Sequence, residues 1–410
     1  MSVLRVAVVL LLLFASTSRA QLVEPEVLSK AGKDSTAVVG GVPQRDIMDV
    51  FDEHVLHKRV EPQLERNVGL QWALLPTISY NPVYGVAFGA MISAAGQRGS
   101  EQARYSNLAI SANYSTTGQL QAQFRGDMFT AGGNYLVKTD VRYLDTERST
   151  WGLGEIEPDQ QEYPMSFVLT RVYVTVMRRM SGPVFVGVGY HLDEFEDIFD
   201  QRAAAGETTP FTTYSDGAPT RTMASGLSIN FLGDTRNYLV NPSAGYYLNW
   251  SFHNYLQSWG SDLDWQELWV EARVYPHVPN KSRNVLAFWL YAWMTFGPGP
   301  YLNLPADGWD TYGRGARGYL QGRIRGVNQI YLEGEYRFPL TADGLFGMVA
   351  FANLTCTADP ETATLSNGDP GIGAGLRIKF NKNSDTNLAI DHGWGMEGSK
   401  GWFLGMTEAF

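Results

Sequence analysis

Residues 311–340 read TYGRGARGYLQGRIRGVNQIYLEGEYRFPL, and the fold turns on this stretch. Its first half sets Arg314, Arg317, Arg323 and Arg325 among glycines with no acid between them. Its second half alternates with period two, placing Ile330, Leu332, Gly334, Tyr336 and Phe338 on one face and Tyr331, Glu333, Glu335 and Arg337 on the other. A strand with one greasy and one charged face, entered from a cationic loop, predicts a sheet that is apolar outward and polar inward, with the loop folded back onto inward acids.

The rest of the chain agrees with that expectation. Residues 1–20 carry Arg5, an apolar run from Val6 to Phe14 and a small-residue end, the pattern of a secretory signal peptide cleaved before Gln21. Removing Arg5 and Arg19 takes the formal net charge from -10 to -12, which argues against a nucleic-acid partner. Cys356 is the single cysteine, so no internal disulfide can form. Residues 21–66 read as a short periplasmic leader, in which Ile47, Val50, Phe51, Val55 and Leu56 predict an amphipathic helix within Arg45–Val60 that docks at the mouth of the sheet or stays poorly ordered.

From residue 67 to 410 the strand pattern scarcely stops, and no run of eighteen apolar residues interrupts it. Gln119 to Met128 is the clearest case: Gln119, Gln121, Gln123, Arg125 and Asp127 oppose Leu120, Ala122, Phe124, Gly126 and Met128. Segments of this kind number roughly sixteen, the last being Lys400–Phe410. The long connections Asp145–Pro164, Phe195–Thr220, Gly297–Val327 and Thr357–Pro370 all fall on one side, and short turns fall on the other. The fold class is therefore all-β: a transmembrane antiparallel β-barrel with a short helical leader.

Several motifs, in order, resemble those of the BamA/TamA-type bacterial surface antigen barrels. Asp234-Thr235-Arg236-Asn237, with Pro242 and Gly245, is similar to that superfamily's D-x-R-[DN]…P-x-x-G periplasmic turn. Arg317-Gly318-Tyr319 is similar to its [VI]-R-G-[YF] loop motif, with Ala316 in the first place, and Glu335-Tyr336-Arg337-Phe338-Pro339 to its E-x-R-x-P strand. Phe410, with Trp402, Leu404 and Met406, resembles a C-terminal barrel signal, although Glu408 interrupts its apolar face. The resemblance implies that Arg317 projects into the lumen and meets Glu335. After Phe351 the superfamily usually has an acid, whereas this chain has Asn353, so either the lock is weaker here or another inward acid such as Glu333, Glu271 or Asp391 substitutes. The leader is too short for a periplasmic POTRA module, which suggests a barrel-only branch.

By resemblance, the expected role is non-enzymatic: insertion or translocation of outer-membrane components in a Gram-negative cell. The expected partners are outer-membrane lipid and lipopolysaccharide, with client outer-membrane proteins or a periplasmic partner. A passive channel gated by the lumen loop and a structural barrel or adhesin are the alternatives. No cofactor or metal is expected. Gly313 to Gly318 spells GxGxxG without a βαβ unit around it. The run Asp193, Glu194, Glu196, Asp197, Asp200 reads as solvated charge. His253 and Ser251 share an inward face, with nothing to place a base on a nucleophile.

Overall fold

A computed structural model describes residues 38–39, 42–54, 57, 70–81, 85–97, 104–276, 278, 283–310, 313–362, 364–382 and 385–410. The expected signal peptide and most of the leader lie outside these residues. Sixteen strands form one antiparallel sheet in which every strand pairs with its neighbours in sequence. They are β1 Leu70–Asn81, β2 Gly85–Gln97, β3 Tyr105–Ser115, β4 Leu120–Phe129, β5 Tyr135–Thr150, β6 Tyr163–Ser181, β7 Val184–Asp200 and β8 Thr222–Asp234. They continue as β9 Gly245–Tyr255, β10 Trp265–Tyr275, β11 Val285–Phe296, β12 Asn328–Pro339, β13 Phe346–Ala358, β14 Asp369–Asn381, β15 Thr386–Trp394 and β16 Lys400–Met406.

Period-two patterning sets the two faces. Along β12, Gln329, Tyr331, Glu333, Glu335 and Arg337 are buried, while Leu332 and Tyr336 are exposed. Leu74, Phe88, Ile92, Ile110, Val188, Ile229, Ile372 and Leu404 are exposed on other strands. This is the surface of a barrel that faces hydrocarbon and encloses polar groups. The sheet curls around its own outer loop, since residues of that loop bond both to Asp193 on β7 and to Asp391 on β15. No described helix is long and apolar enough to cross a membrane, which bears only on helices.

Strands β5 to β7 run further than their apolar pattern predicts. The expected loop beginning at Asp145 is still ladder as far as Thr150, which pairs with Tyr163. Beyond the apolar band both faces of a hairpin can be polar without cost, so alternation stops there while hydrogen bonding continues. The expected acidic run divides: Asp193 and Asp200 are buried and partnered, and Glu194 pairs with Arg221.

On the side of the short turns a helix, α1 Ile47–His54, packs under the sheet. Asp46 and Asp49 each accept from the other's backbone N–H, at 2.9 and 3.0 Å, which fixes its first turn. Lys382, in the turn after β14, donates Nζ to Asp49 at 2.6 and 2.8 Å and its backbone N–H to Asp46 at 2.9 Å. The helix is thus docked by charge on the side of the short turns, and Val55 and Leu56 of the expected span lie outside the described residues.

The interior of the second half is filled. Trp269 stacks on Tyr291 with ring centres 4.8 Å apart, and Tyr291 stacks on Tyr331 at 4.9 Å. Leu302, Leu304, Trp309 and Ile324 of the outer loop pack into the same cluster. Toward β2 and β3 the inward residues are small, among them Ser93, Ala95, Ala109 and Ser111. A cavity of about 680 Å³ remains between them and the loop.

Candidate functional site in the barrel lumen

The outer loop between β11 and β12, residues 297–327, folds into the lumen and is fixed there by its arginines. Arg317 is 2% exposed. Its Nη1 donates to Asp391 Oδ2 at 2.6 Å, and its Nη2 donates to Glu333 and Glu335. The guanidinium lies 3.8 Å from the Phe351 ring centre. Burial alone would lower the pKa of this group, but Glu333, Glu335 and Asp391 outweigh it and hold the pKa well above the ordinary value.

The expected Arg317–Glu335 pair is present, and both Glu333 and Asp391 join it. Glu271 does not. It accepts instead from Arg273 at 2.6 Å and from Trp289 at 3.0 Å. Asn353 plays a different part from the acid it stands in for, donating Nδ2 to the backbone carbonyl of Arg317 at 2.9 Å.

The next two residues pin the loop to the far wall. Gly318 has φ +121°, and a Cβ there would lie 3.0 Å from the Trp394 backbone, so glycine permits the approach. Tyr319 donates its hydroxyl to the Pro370 carbonyl and accepts from the Met396 backbone N–H at 3.0 Å. Both contacts lie on the elements that precede β16.

The last residues depart from the expected Lys400–Phe410 strand. β16 ends at Met406, and Thr407 to Phe410 turn inward. Glu408 accepts from Arg377 Nε at 2.7 Å and from Asn387 Nδ2 at 2.7 Å. Arg314 donates to the Thr407 hydroxyl and the Glu408 carbonyl. Phe410, 3% exposed, lies against Trp289 with ring centres 5.4 Å apart and beneath the Arg337 guanidinium at 5.3 Å.

Arg337 joins the pieces. Its Nε donates to Glu335 at 2.7 Å, Nη2 to the Phe410 carbonyl at 2.9 Å and Nη1 to the Pro242 carbonyl at 3.3 Å. Arg377 in turn reaches Asp391. Arg317, Arg337 and Arg377 therefore alternate with Glu333, Glu335, Asp391 and Glu408 in one network of buried ions. The tail was missed because a terminal aromatic reads as the end of a strand. The signal was nonetheless there, since Glu408 on a lipid-facing strand would be costly and an inward turn removes that cost.

The Asp234 turn is tied by its own arginine. Arg236 donates Nε and Nη2 to the two Asp234 oxygens at 3.0 and 2.9 Å, and lies 4.4 Å from the Tyr247 ring centre. Gly245, at φ +93°, leaves no room for a Cβ, which would sit 2.3 Å from the Thr235 carbonyl. His253 is directed at Glu267, 2.7 Å away, while His191 meets Ser228 at 2.8 Å.

A sixteen-stranded membrane-type barrel with an ion-locked loop in its lumen is the class these features define. No family model and no curated protein matches the sequence. Solved structures do share the fold. BamA from Haemophilus ducreyi lacking POTRA domains 1-3 is 13% identical, with 82% of this chain and 68% of that chain covered and a TM-score of 0.52. CdiB from Escherichia coli is 12% identical, with 92% and 72% covered and a TM-score of 0.50. The chain has a BamA-type barrel fold.

Proposed function

We propose that the protein sits in the outer membrane of a Gram-negative bacterium and inserts or translocates outer-membrane components through a seam between its first and last strands. One observation carries this reading. The two ends of the sheet are β1 and β16, and among the described residues no ladder joins them. β1 has 12 residues and β16 only 7, so 5 residues of the β1 edge would lack a partner even if the two met in full register. Gly401 and Gly405 weaken β16 further. An unpaired strand edge templates an incoming strand through its backbone groups, and the small inward residues of β2 and β3 leave room beside it. The likeness to BamA supports the fold on which such a seam would be built.

The test is a disulfide tether. Gln71→Cys and Gly405→Cys, in a Cys356→Ser background, shut the seam on oxidation. Growth and outer-membrane composition should fail when the tether is oxidised and recover when it is reduced. Full function with the seam closed would overturn the reading. A passive channel is the second reading, favoured by the loop's position in the lumen. It expects conductance in planar bilayers to rise on Arg317→Gln and to ignore the tether.

A further inference from the structure

The cavity of about 680 Å³ beside the loop has two unlike walls. Trp269 of β10, Trp293 of β11 and Trp309 of the loop line one of them. Two of these indoles have their nitrogen taken by the wall itself, Trp269 donating to Glu271 at 3.3 Å and Trp293 to Glu267 at 2.9 Å. What those rings offer the cavity is carbon surface. Along β4 to β7 the wall is instead a track of paired ions. Lys138 Nζ lies 3.1 Å from Asp127, Arg125 Nε lies 3.5 Å from Asp140, and Arg171 donates twice to Asp193 at 2.7 Å. The side chains of Lys138 and Asp127 keep 24% and 33% of their exposure, so this pair still presents polar atoms to the cavity it lines.

We propose that this cavity is a binding site for a short, neutral oligosaccharide. Charge, hydrogen bonding and surface select that class together. Six cations and five carboxylates interleave among the described lining residues, so a ligand of net charge meets a like charge beside each opposite one. A hydroxyl both donates and accepts, and can therefore bridge an ammonium or guanidinium to its neighbouring carboxylate without parting them. A sugar carries hydroxyls around its rim and C–H groups on its ring faces, which suits the ion track and the tryptophan surface at once. The volume falls within the range of about 300–1,000 Å³ common to small-ligand sites.

The loop closes one end of the site, since Asn303 Nδ2 donates to Asp193 at 3.1 Å across the lumen. The other end runs to the short turns, where Leu239, Val240 and Asn381 line it, and the ligand enters from there. No strand has to separate. The site therefore stands apart from the seam proposed above, and either can fail without the other.

The test is calorimetric titration of the full barrel in dimethyldodecylamine oxide, a detergent with no sugar head to compete, with folding checked by heat-modifiable migration. Wild type should give saturable heat with at least one of maltotriose, cellotriose and triacetylchitotriose. Two charged counterparts, trigalacturonate and the deacetylated cationic chitotriose, should bind at least about tenfold more weakly than the best neutral probe. Ser111→Phe fills the cavity from its small-residue side and should abolish binding. The double variant Asp127→Leu with Lys138→Met removes one ion pair at constant net charge and should weaken binding at least about tenfold. No saturable heat from any neutral probe in folded wild type overturns the proposal, and so does equal or tighter binding of a charged one. Undiminished binding by folded Ser111→Phe puts the sugar elsewhere and overturns it too. Should Ser111→Phe fail to fold, the double variant decides, and unchanged affinity there is the overturning result.

Discussion

Arg317 Nη1 lies 2.6 Å from Asp391 Oδ2, so a side chain of the outer loop is bonded to β15, the strand that carries the last strand of the sheet. The loop that fills the lumen and the strand pair that ends the wall are thus one ion-paired unit. Any movement of β15 and β16 disturbs the loop, and any loss of the loop takes the cation from Glu333 on the wall.

Replacing Arg317 by Gln leaves Glu333 without a cationic partner among the described residues, while Glu335 keeps Arg337 and Asp391 keeps Arg377. Removing one partner of a buried ion network costs about 3–5 kcal/mol, and expulsion of the loop relieves it by admitting water. The expected outcome is an assembled barrel whose loop is cut by trypsin after Arg314, Arg323 or Arg325. Arg317→Lys keeps the charge without the fork and should be cut at an intermediate rate. Resistance equal to wild type in the Gln variant would show that apolar packing by Leu302, Leu304 and Trp309, not the ions, holds the loop.

Asn353→Asp would restore the acid usual at this position in the superfamily the chain resembles. By resemblance an acid here would strengthen the lock, but Asn353 donates to the Arg317 carbonyl at 2.9 Å and a carboxylate cannot donate. It would also bring a fourth acid to one guanidinium. The loop should loosen, with a lowered thermal midpoint and faster tryptic cleavage. An unchanged or raised midpoint would mean that charge outweighs the lost hydrogen bond.

Much of the fold was legible because period two survives wherever a strand separates hydrocarbon from a polar interior. Gln119 to Met128 and Asn328 to Pro339 declare their faces residue by residue. The signal faded at Asp145 to Thr150, where the strand leaves the apolar band. The site was legible in its arginine, since a guanidinium beside inward acids admits few arrangements. It was not legible in the tail, because direction depends on which wall groups lie within reach of Glu408. Arg377 and Asn387 are brought there by the register of β14 and β15, which no local pattern reports. The Asp193–Asn303 bond was hidden for the same reason, joining β7 to a loop 110 residues away.

Gly393→Ala tests close approach. A Cβ at Gly393 would lie 2.7 Å from the Gly318 nitrogen and 2.9 Å from the Arg317 carbonyl carbon, both backbone atoms unable to step aside alone. Overpacking of this kind costs about 1–3 kcal/mol. Gly405→Ala is the control, with nothing within 4 Å of the added carbon. Loop cleavage should rise for the first and not for the second, with heat-modifiable migration intact in both. Equal cleavage would mean that the loop has slack where the wall meets it.

The last prediction concerns pH. Asp307 sits in the loop, 1% exposed, with Oδ1 accepting from the Ile324 N–H at 2.9 Å and Oδ2 without a partner among the described residues. Burial raises its pKa to about 8, against smaller opposing effects of the Ile324 N–H and Arg325. In the folded chain the carboxyl is neutral at pH 7, whereas in an unfolded chain it has already given up its proton near pH 4. The folded state holds the extra proton between those values, so this group's contribution to stability falls as pH rises from about 4 to about 8 and is level beyond. The loop should therefore loosen around Asp307. Thermal unfolding and tryptic cleavage followed from pH 6 to pH 9 should show a declining midpoint and rising cleavage in wild type, and Asp307→Asn should flatten both while keeping the Oδ1 contact. If the wild-type and Asn curves stay parallel, Asp307 is already charged at neutral pH, and its second oxygen must be met by water that enters beside the loop.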